Sequence, residues 1–298
     1  MTISKTMKAA VLHAPGDLRV EEVQAPQLGA DDVLVKVAAC GVCGSDVPRI
    51  LTTGTYHFPT IPGHEFSGVV AEAGKNSGDL LNKNVAVIPL IPCRQCYACS
   101  IGEFAQCKQY DFLGSRSDGG FAEYVKVPAR NVLVLPEGIP AYVGSLLEPV
   151  TVALHAIQSN AVKHLDSVAV FGLGAIGNFV AQWARVIGAK VYAIDVIPEK
   201  VQIARETGLK DAVCSKDMDI VSYVKDATNG RGVDVAFDAS GSSFAISQAL
   251  KMLRPFGKMG LLGRVNSKMT LDEADFEKIL RGQLTINGTW SFEMGDFP

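Results

Sequence analysis

The stretch from residue 167 to residue 195 narrows the possible folds more than any other part of the chain. Ser167 to Phe171 is a short β-branched and apolar run, followed directly by Gly172-Leu173-Gly174-Ala175-Ile176-Gly177. Ile176, Val180, Trp183, Ala184 and Ile187 then recur at helical spacing, and a second apolar run over 190–194 ends at Asp195. A lone Gly-x-Gly-x-x-Gly is weak evidence. Here it follows a strand, opens a helix and has an acidic residue 23 positions after its first glycine, which is the context a dinucleotide site requires. Gly172 makes the turn, Gly174 lets a pyrophosphate approach the backbone, and Gly177 allows the helix to lie close to the strand. Ile176 falls among the first helical amides, whose donors and dipole favour phosphate. Asp195 is placed to accept from an adenosine ribose diol, and Val196 and Ile197 offer no arginine for a 2′-phosphate. The expected cofactor is therefore NAD rather than NADP, the bland alternative being a packing motif without a ligand.

The alternation continues to the end of the chain. A helix over 198–207 opens on Pro198 and is closed by Gly208, then come strands over 211–214, 233–238, 258–262 and 284–289. Helices over 218–227, 243–253 and 272–281 separate them. Six strands alternating with helices predict an α/β fold with a doubly wound parallel (Rossmann) sheet over 151–298. Residues 1–150 have a different texture. Short alternating or apolar runs at 7–12, 32–38, 68–73, 84–88, 122–127 and 131–135 are separated by Gly and Pro, as at Ala14-Pro15-Gly16-Asp17, and predict a β-rich domain whose loops carry the unusual residues. A length of 298 residues fits two such domains.

Charge and composition exclude some partners. A net charge of −3 without a basic cluster argues against nucleic acid. The most apolar region, 168–188, is broken by glycines, Asn178, Gln182 and Arg185, so no membrane span is expected. The N-terminus, residues 1–12, has no leader-like apolar core. Seven cysteines, four of them clustered, point to metal and a reducing compartment, and the expected location is the cytoplasm.

Cys93, Cys96, Cys99 and Cys107 stand at C-x2-C-x2-C-x7-C spacing, which suits a closed tetrahedral zinc site tying down a loop. An iron–sulfur run begins the same way, but its fourth cysteine comes after three residues and precedes proline, whereas Lys108 follows Cys107. A second metal-type stretch runs from Cys40 to Glu65: Cys40-Gly-Val-Cys43-Gly-Ser45-Asp46, ending in Gly63-His64-Glu65. It offers thiol, imidazole and carboxylate, the side chains zinc accepts, with glycines beside them. His13, His57, His155 and His164 are expected to be ordinary loop or helix residues.

Together with Gly119-Gly120-Phe121-Ala122-Glu123-Tyr124, the 43–50 and 110–116 segments and Glu148-Pro149, these motifs resemble the medium-chain, zinc-dependent alcohol and polyol dehydrogenases, over about residues 7–290. The resemblance implies a GroES-like catalytic domain and a catalytic zinc held by Cys43, His64 and Glu65, with Glu148 as a fourth or alternating ligand. Cys40 is then a bystander, and Ser45 is the first proton acceptor from the alcohol. Pro48 falls near where many relatives carry a relay histidine. The implied activity is NAD-linked oxidation of a secondary alcohol in a small-molecule polyol or polyol phosphate, galactitol 1-phosphate or a close hexitol phosphate, by a homodimer or homotetramer. Arg49 and Arg116 are the candidate phosphate anchors, since guanidinium matches phosphate bidentately. Dehydrogenation of an unphosphorylated polyol or diol, and a non-catalytic fragment that keeps fold and zinc, are the alternatives. Family members continue some tens of residues past the sixth strand and return to the catalytic domain. The sequence ends at Pro298 without that return.

Overall fold

The computed structural model describes residues 4–265 and 268–297; residues 1–3, 266–267 and 298 lie outside the described residues. The chain divides into two compact units, Met1–Glu148 and Pro149–Pro298.

The first unit is built on antiparallel strands. A hairpin pairs β1 (Thr6–Ala14) with β2 (Asp17–Gln24) through the Pro15-Gly16 turn, where Gly16 has φ +81°. A five-stranded sheet has the order β8 (Tyr124–Pro128), β3 (Asp32–Gly41), β4 (Glu65–Ala73), β5 (Asn84–Val87), β9 (Val132–Val134). Two-residue strands β6 (Leu90–Ile91) and β7 (Asp111–Phe112) pair at the base of the cysteine-rich loop. The core of the sheet is valine-rich: Val33, Val35, Val70, Val85 and Val127 are all buried and pack with Phe66. β-Branched side chains suit this pleated surface.

The second unit is a six-stranded, wholly parallel sheet. Its strands are β10 (Ser167–Phe171), β11 (Lys190–Asp195), β12 (Val213–Cys214), β13 (Val233–Asp238), β14 (Leu253–Leu261) and β15 (Thr285–Gly288). Their spatial order is β12-β11-β10-β13-β14-β15, the doubly wound arrangement that the strand–helix alternation implies. β10 and β13 are buried along their whole length, as strands covered on both faces must be. Helices α1 (Leu147–Ser159), α2 (Ala175–Ile187), α3 (Pro198–Glu206), α4 (Ile220–Ala227), α5 (Ser243–Met252) and α6 (Glu273–Gly282) complete the chain. Two apolar clusters, one containing Val168, Val170 and Val180 and the other Ala169, Ile246 and Leu250, hold helices onto the sheet. Strand order reverses at β10, so the carboxyl ends of β10, β11 and β13 frame the crevice where this fold binds ligands.

Several elements depart from the sequence reading, among them β6, β7 and α1, which it did not place. β2 was not anticipated, because Asp17, Arg19, Glu21 and Glu22 hide its period and Val20 is 78% exposed. β14 begins five residues before position 258 and runs through Pro255 and Phe256, the latter at φ +59°, with a register shift against β13. Proline and glycine there mark a bulge instead of a break. The strand expected over 211–214 shrinks to its last two residues. Among the described residues no helix is long and apolar enough to cross a membrane.

Candidate metal centres and dinucleotide site

β3 ends at Gly41 and β4 begins at Glu65, and the two residues are paired across the sheet. Cys43 follows the end of one strand while His64 precedes the start of the other, so the antiparallel register brings both chemical groups to one edge. Close backbone packing makes room. A Cβ on Gly41 would lie 2.2 Å from Glu65 Oε2, and Gly63 sits at φ +94° with Phe121 and the Cys40 sulfur against it. Gly120 N donates to Gly63 O at 2.7 Å, so the Gly119-Gly120-Phe121 motif pins the residue before His64.

Cys43, His64 and Glu65 offer ligand atoms that all lie within 4.8 Å of one another, with His64 and Glu65 buried. Ligands round a tetrahedral zinc stand roughly 3.3–3.8 Å apart, so small side-chain movements close the set on an ion. Cys40 is not part of this group: its sulfur faces Gly41 O at 3.5 Å, and burial pushes its thiol well up. Glu148, in the first turn of α1, is buried beside the triad but is not one of the three convergent ligands. Burial, reinforced by the Glu65 and Asp46 carboxylates against the opposing pull of His64, pushes Glu148 up to about 7. Burial likewise raises Glu65. His64 moves the other way. Burial alone would lower it, but the adjacent Asp46 and Cys43 and the charge of Glu148 raise it to about 10. Anionic groups crowded in a dry site and drawing a proton onto imidazole are the electrostatics of a site that favours a cation.

The sequence reading missed Asp46 as a site residue. It is fully buried. Oδ2 accepts from Cys43 N at 3.1 Å, and Oδ1 stands 3.2 Å from His64 Nδ1, off the line of a well-aligned hydrogen bond. With Nδ1 turned to this carboxylate, Nε2 is the nitrogen left for the metal. A carboxylate behind a ligating histidine fixes its tautomer and strengthens it as a ligand. The available signal was a carboxylate three residues after the ligand cysteine. Ser45 is half-buried, its hydroxyl directed at Cys43 Sγ at 3.4 Å.

The second metal group is the set Cys93, Cys96, Cys99 and Cys107, whose sulfurs also lie within 4.8 Å of one another and form no disulfide. Cys96 and Cys99 sulfurs are 3.6 Å apart. Their chemistry is opposed. Backbone amides of Cys99 and Lys108 pull Cys96 down to about 6, while burial, then crowding by Cys107 and Cys96, pushes Cys99 up to about 12. Four thiolates in this space need a divalent cation to coexist, and a closed set of four cysteines is a structural zinc site. Of the other histidines, His13 pairs with Glu21, His57 with backbone oxygens of Pro59 and Arg116, His155 with Asp296 and His164 with Ile187 O; none belongs to either metal group.

In the second unit Gly172 has φ +89°, and a Cβ on Gly177 would lie 1.7 Å from Gly172 O, so both glycines are required by the backbone. Around Gly174 a Cβ would meet nothing within 4 Å, which leaves the open cradle a pyrophosphate needs at the start of α2. Ile176, half-buried, lies in the first turn and packs against the core. Asp195 ends β11 and is buried; Oδ2 accepts from Leu173 N at 2.6 Å and Oδ1 from Ile197 N at 2.9 Å. The carboxylate thus ties the glycine turn to the neighbouring strand. These residues fit NAD.

Comparison with known proteins agrees with this geometry. Residues 29–137 match the alcohol dehydrogenase GroES-like domain and residues 175–298 the zinc-binding dehydrogenase domain. The chain belongs to the zinc-type medium-chain dehydrogenases. It is 37% identical over 295 residues to galactitol 1-phosphate 5-dehydrogenase of Escherichia coli K12, covering 98% of this chain and 85% of that protein. It is 31% identical to a sorbitol dehydrogenase of Bacillus subtilis, covering 88% of this chain and 76% of that protein. The crystal structure of the Escherichia coli galactitol-1-phosphate dehydrogenase matches with TM-score 0.90 at 36% identity, over 97% of this chain and 84% of that one. A zinc-binding dehydrogenase of Sinorhizobium meliloti, bound to NADP, matches with TM-score 0.91 at 30% identity, over 98% of this chain and 86% of that one. The protein is an oxidoreductase of the zinc-dependent alcohol and polyol class.

Proposed function

We propose that the protein oxidises a secondary alcohol of a hexitol phosphate, galactitol 1-phosphate or a close analogue, to the ketose phosphate with NAD as hydride acceptor. One observation carries the phosphate part of the reading. The Arg116 guanidinium lies between two tyrosine rings, 3.9 Å from the centroid of Tyr56 and 4.3 Å from that of Tyr110. Its Nε is buried without a hydrogen-bond partner, and among the described residues it makes no ion pair. A cation held flat by aromatic faces and without an ion-pair partner is pre-organised for a phosphate at its terminal nitrogens. Edge contacts connect it to the metal group: Tyr110 to Phe112 at 6.3 Å between centroids, and Phe112 to His64 at 5.5 Å.

The residues then divide the chemistry. Zinc bound at Cys43, His64 and Glu65 would supply the Lewis acidity that makes a carbinol hydroxyl easier to deprotonate. Asp46 holds His64 in one orientation, Ser45 receives the hydroxyl proton, and Glu148 is the carboxylate that can enter or leave the ligand set. The opening of α2 and Asp195 hold the dinucleotide by pyrophosphate and ribose. Anchoring the phosphate at Arg116 converts remote binding energy into orientation of the reacting carbon. The free thiols of the metal groups call for a reducing compartment, which supports the cytoplasm.

Arg116→Ala tests the reading. The expected result is a kcat/KM for galactitol 1-phosphate that falls by roughly 100-fold, the worth of a charged contact of 2–3 kcal/mol, and far less for galactitol. Equal losses on both substrates would leave Arg116 structural. A wild type that prefers the unphosphorylated hexitol would make the protein a polyol dehydrogenase of the plain kind.

A further inference from the structure

Arg49, the second candidate phosphate anchor, is turned to another task. Its Nη1 donates to Ser45 Oγ at 3.0 Å and stands 3.5 Å from Asp46 Oδ1, with the side chain 24% exposed. The short helical stretch Asp46–Pro48 runs on into Arg49–Thr53, which places Arg49 one turn after Ser45. The hydroxyls of Thr52 and Thr53 both bond back to Pro48 O, tying this turn together. One guanidinium nitrogen therefore touches the hydroxyl proposed to take the substrate proton, and it also neighbours the buried carboxylate behind His64.

We infer that Arg49 is the positioning residue for proton acceptance at Ser45, an inference that rests on Ser45 having that role. A serine hydroxyl has one hydrogen and two acceptor sites. The Ser45 hydrogen points to Cys43 Sγ and Arg49 fills one acceptor site, so a single acceptor site remains for an alcohol. The hydroxyl rotor is fixed from both sides. Arginine stays charged and cannot carry the proton onward, so Arg49 acts by holding Oγ and by setting a positive charge beside Asp46. With the dinucleotide bound, the carbinol carbon would give its hydride to NAD and its hydroxyl its proton to Ser45 Oγ. As that proton arrives, Ser45 would give up to water the hydrogen it directs at Cys43 Sγ, which restores the hydroxyl. A position occupied by Pro48, which has no titratable group, is in this way backed by a neighbour that orients the serine.

Arg49→Met and Arg49→Lys in the full chain test the inference, with kcat and KM measured on galactitol 1-phosphate and on galactitol. Metal per chain and the thiolate charge-transfer band of the cobalt-substituted protein are read alongside. Arg49→Met is expected to keep both metal ions and to lower kcat by roughly 10- to 100-fold, the range for outer-shell residues. The factor should be the same on both substrates, with KM within about twofold; Arg49→Lys, which restores charge and one donor, should recover part of it. The cobalt band should shift, because a released Ser45 hydroxyl changes its bond to Cys43 Sγ. An unchanged kcat, an unmoved band, loss of the catalytic metal, or a loss confined to KM for the phosphate ester would each overturn the inference. A wild type that favours galactitol removes the phosphate reading and leaves this test standing, because the expected factor is common to both substrates.

Discussion

Asp195 carries two duties at once, and they pull its substitution in different directions. Its carboxylate caps Leu173 N and Ile197 N inside the protein, and its proposed second duty is to accept from a ribose diol. Replacing it with glycine removes both caps, at about 1 kcal/mol each, and also removes the repulsion that a 2′-phosphate would meet. Val196 is 56% exposed, so arginine fits there without displacing core. Asp195→Gly with Val196→Arg is therefore expected to lower the ratio of kcat/KM for NAD over NADP by at least about tenfold, or 1.4 kcal/mol, and to lower the melting temperature slightly. The comparison is a real one, since a structural neighbour at 30% identity is bound to NADP. An unmodified protein that already favours NADP would refute the ribose-diol role of Asp195.

At the scale of elements, Asp234 knits the amino ends of three parallel strands. Oδ2 accepts from Ser167 N of β10 at 2.8 Å, both oxygens meet Arg231 at 2.9 and 3.0 Å, and Oδ1 takes Arg254 Nε of β14 at 2.6 Å. Burial alone would raise this carboxyl, but the two arginines and the amide bring it down to about 2. A folded-state value below the unfolded one, about 3.9, stabilises the fold above pH 4, and that contribution fades as pH falls through 2. Asp234→Asn should cost about 2 kcal/mol in urea unfolding at pH 7, with the difference from wild type closing toward pH 2. A gap that is constant with pH would mean that the ion pairs contribute nothing.

The same elements show what can be read ahead of coordinates. β10 and β13 were placed to the residue because each is a short, largely apolar run bounded by glycine or polar turns. β2 was not, because an exposed hairpin arm has no buried face to impose a period. The four lobe cysteines were legible through spacing, whereas Cys43 and His64 were singled out through the family resemblance. Asp46 and the orientation of Arg49 were not, because a supporting contact depends on how one helical turn packs under a strand end. The Tyr56–Arg116–Tyr110 stack joins residues 60 positions apart and has no local signature.

At the scale of the whole chain, two zinc ions have separable work. Few side chains of the 93–107 loop are buried apart from Cys99, Ala105 and Cys107, so its order depends on metal, and metal-binding energy there is folding energy. The proposed catalytic group instead sits on strand ends already held by the valine core of the five-stranded sheet. Zinc per chain, measured on purified wild type, His64→Ala and Cys96→Ser, tests this division most directly. Wild type should carry two zinc ions. His64→Ala should stay folded with one zinc and no turnover, and Cys96→Ser should lose the lobe zinc and with it much of its stability. A wild type with a single zinc that survives His64→Ala would contradict the assignment of Cys43, His64 and Glu65 as the catalytic centre.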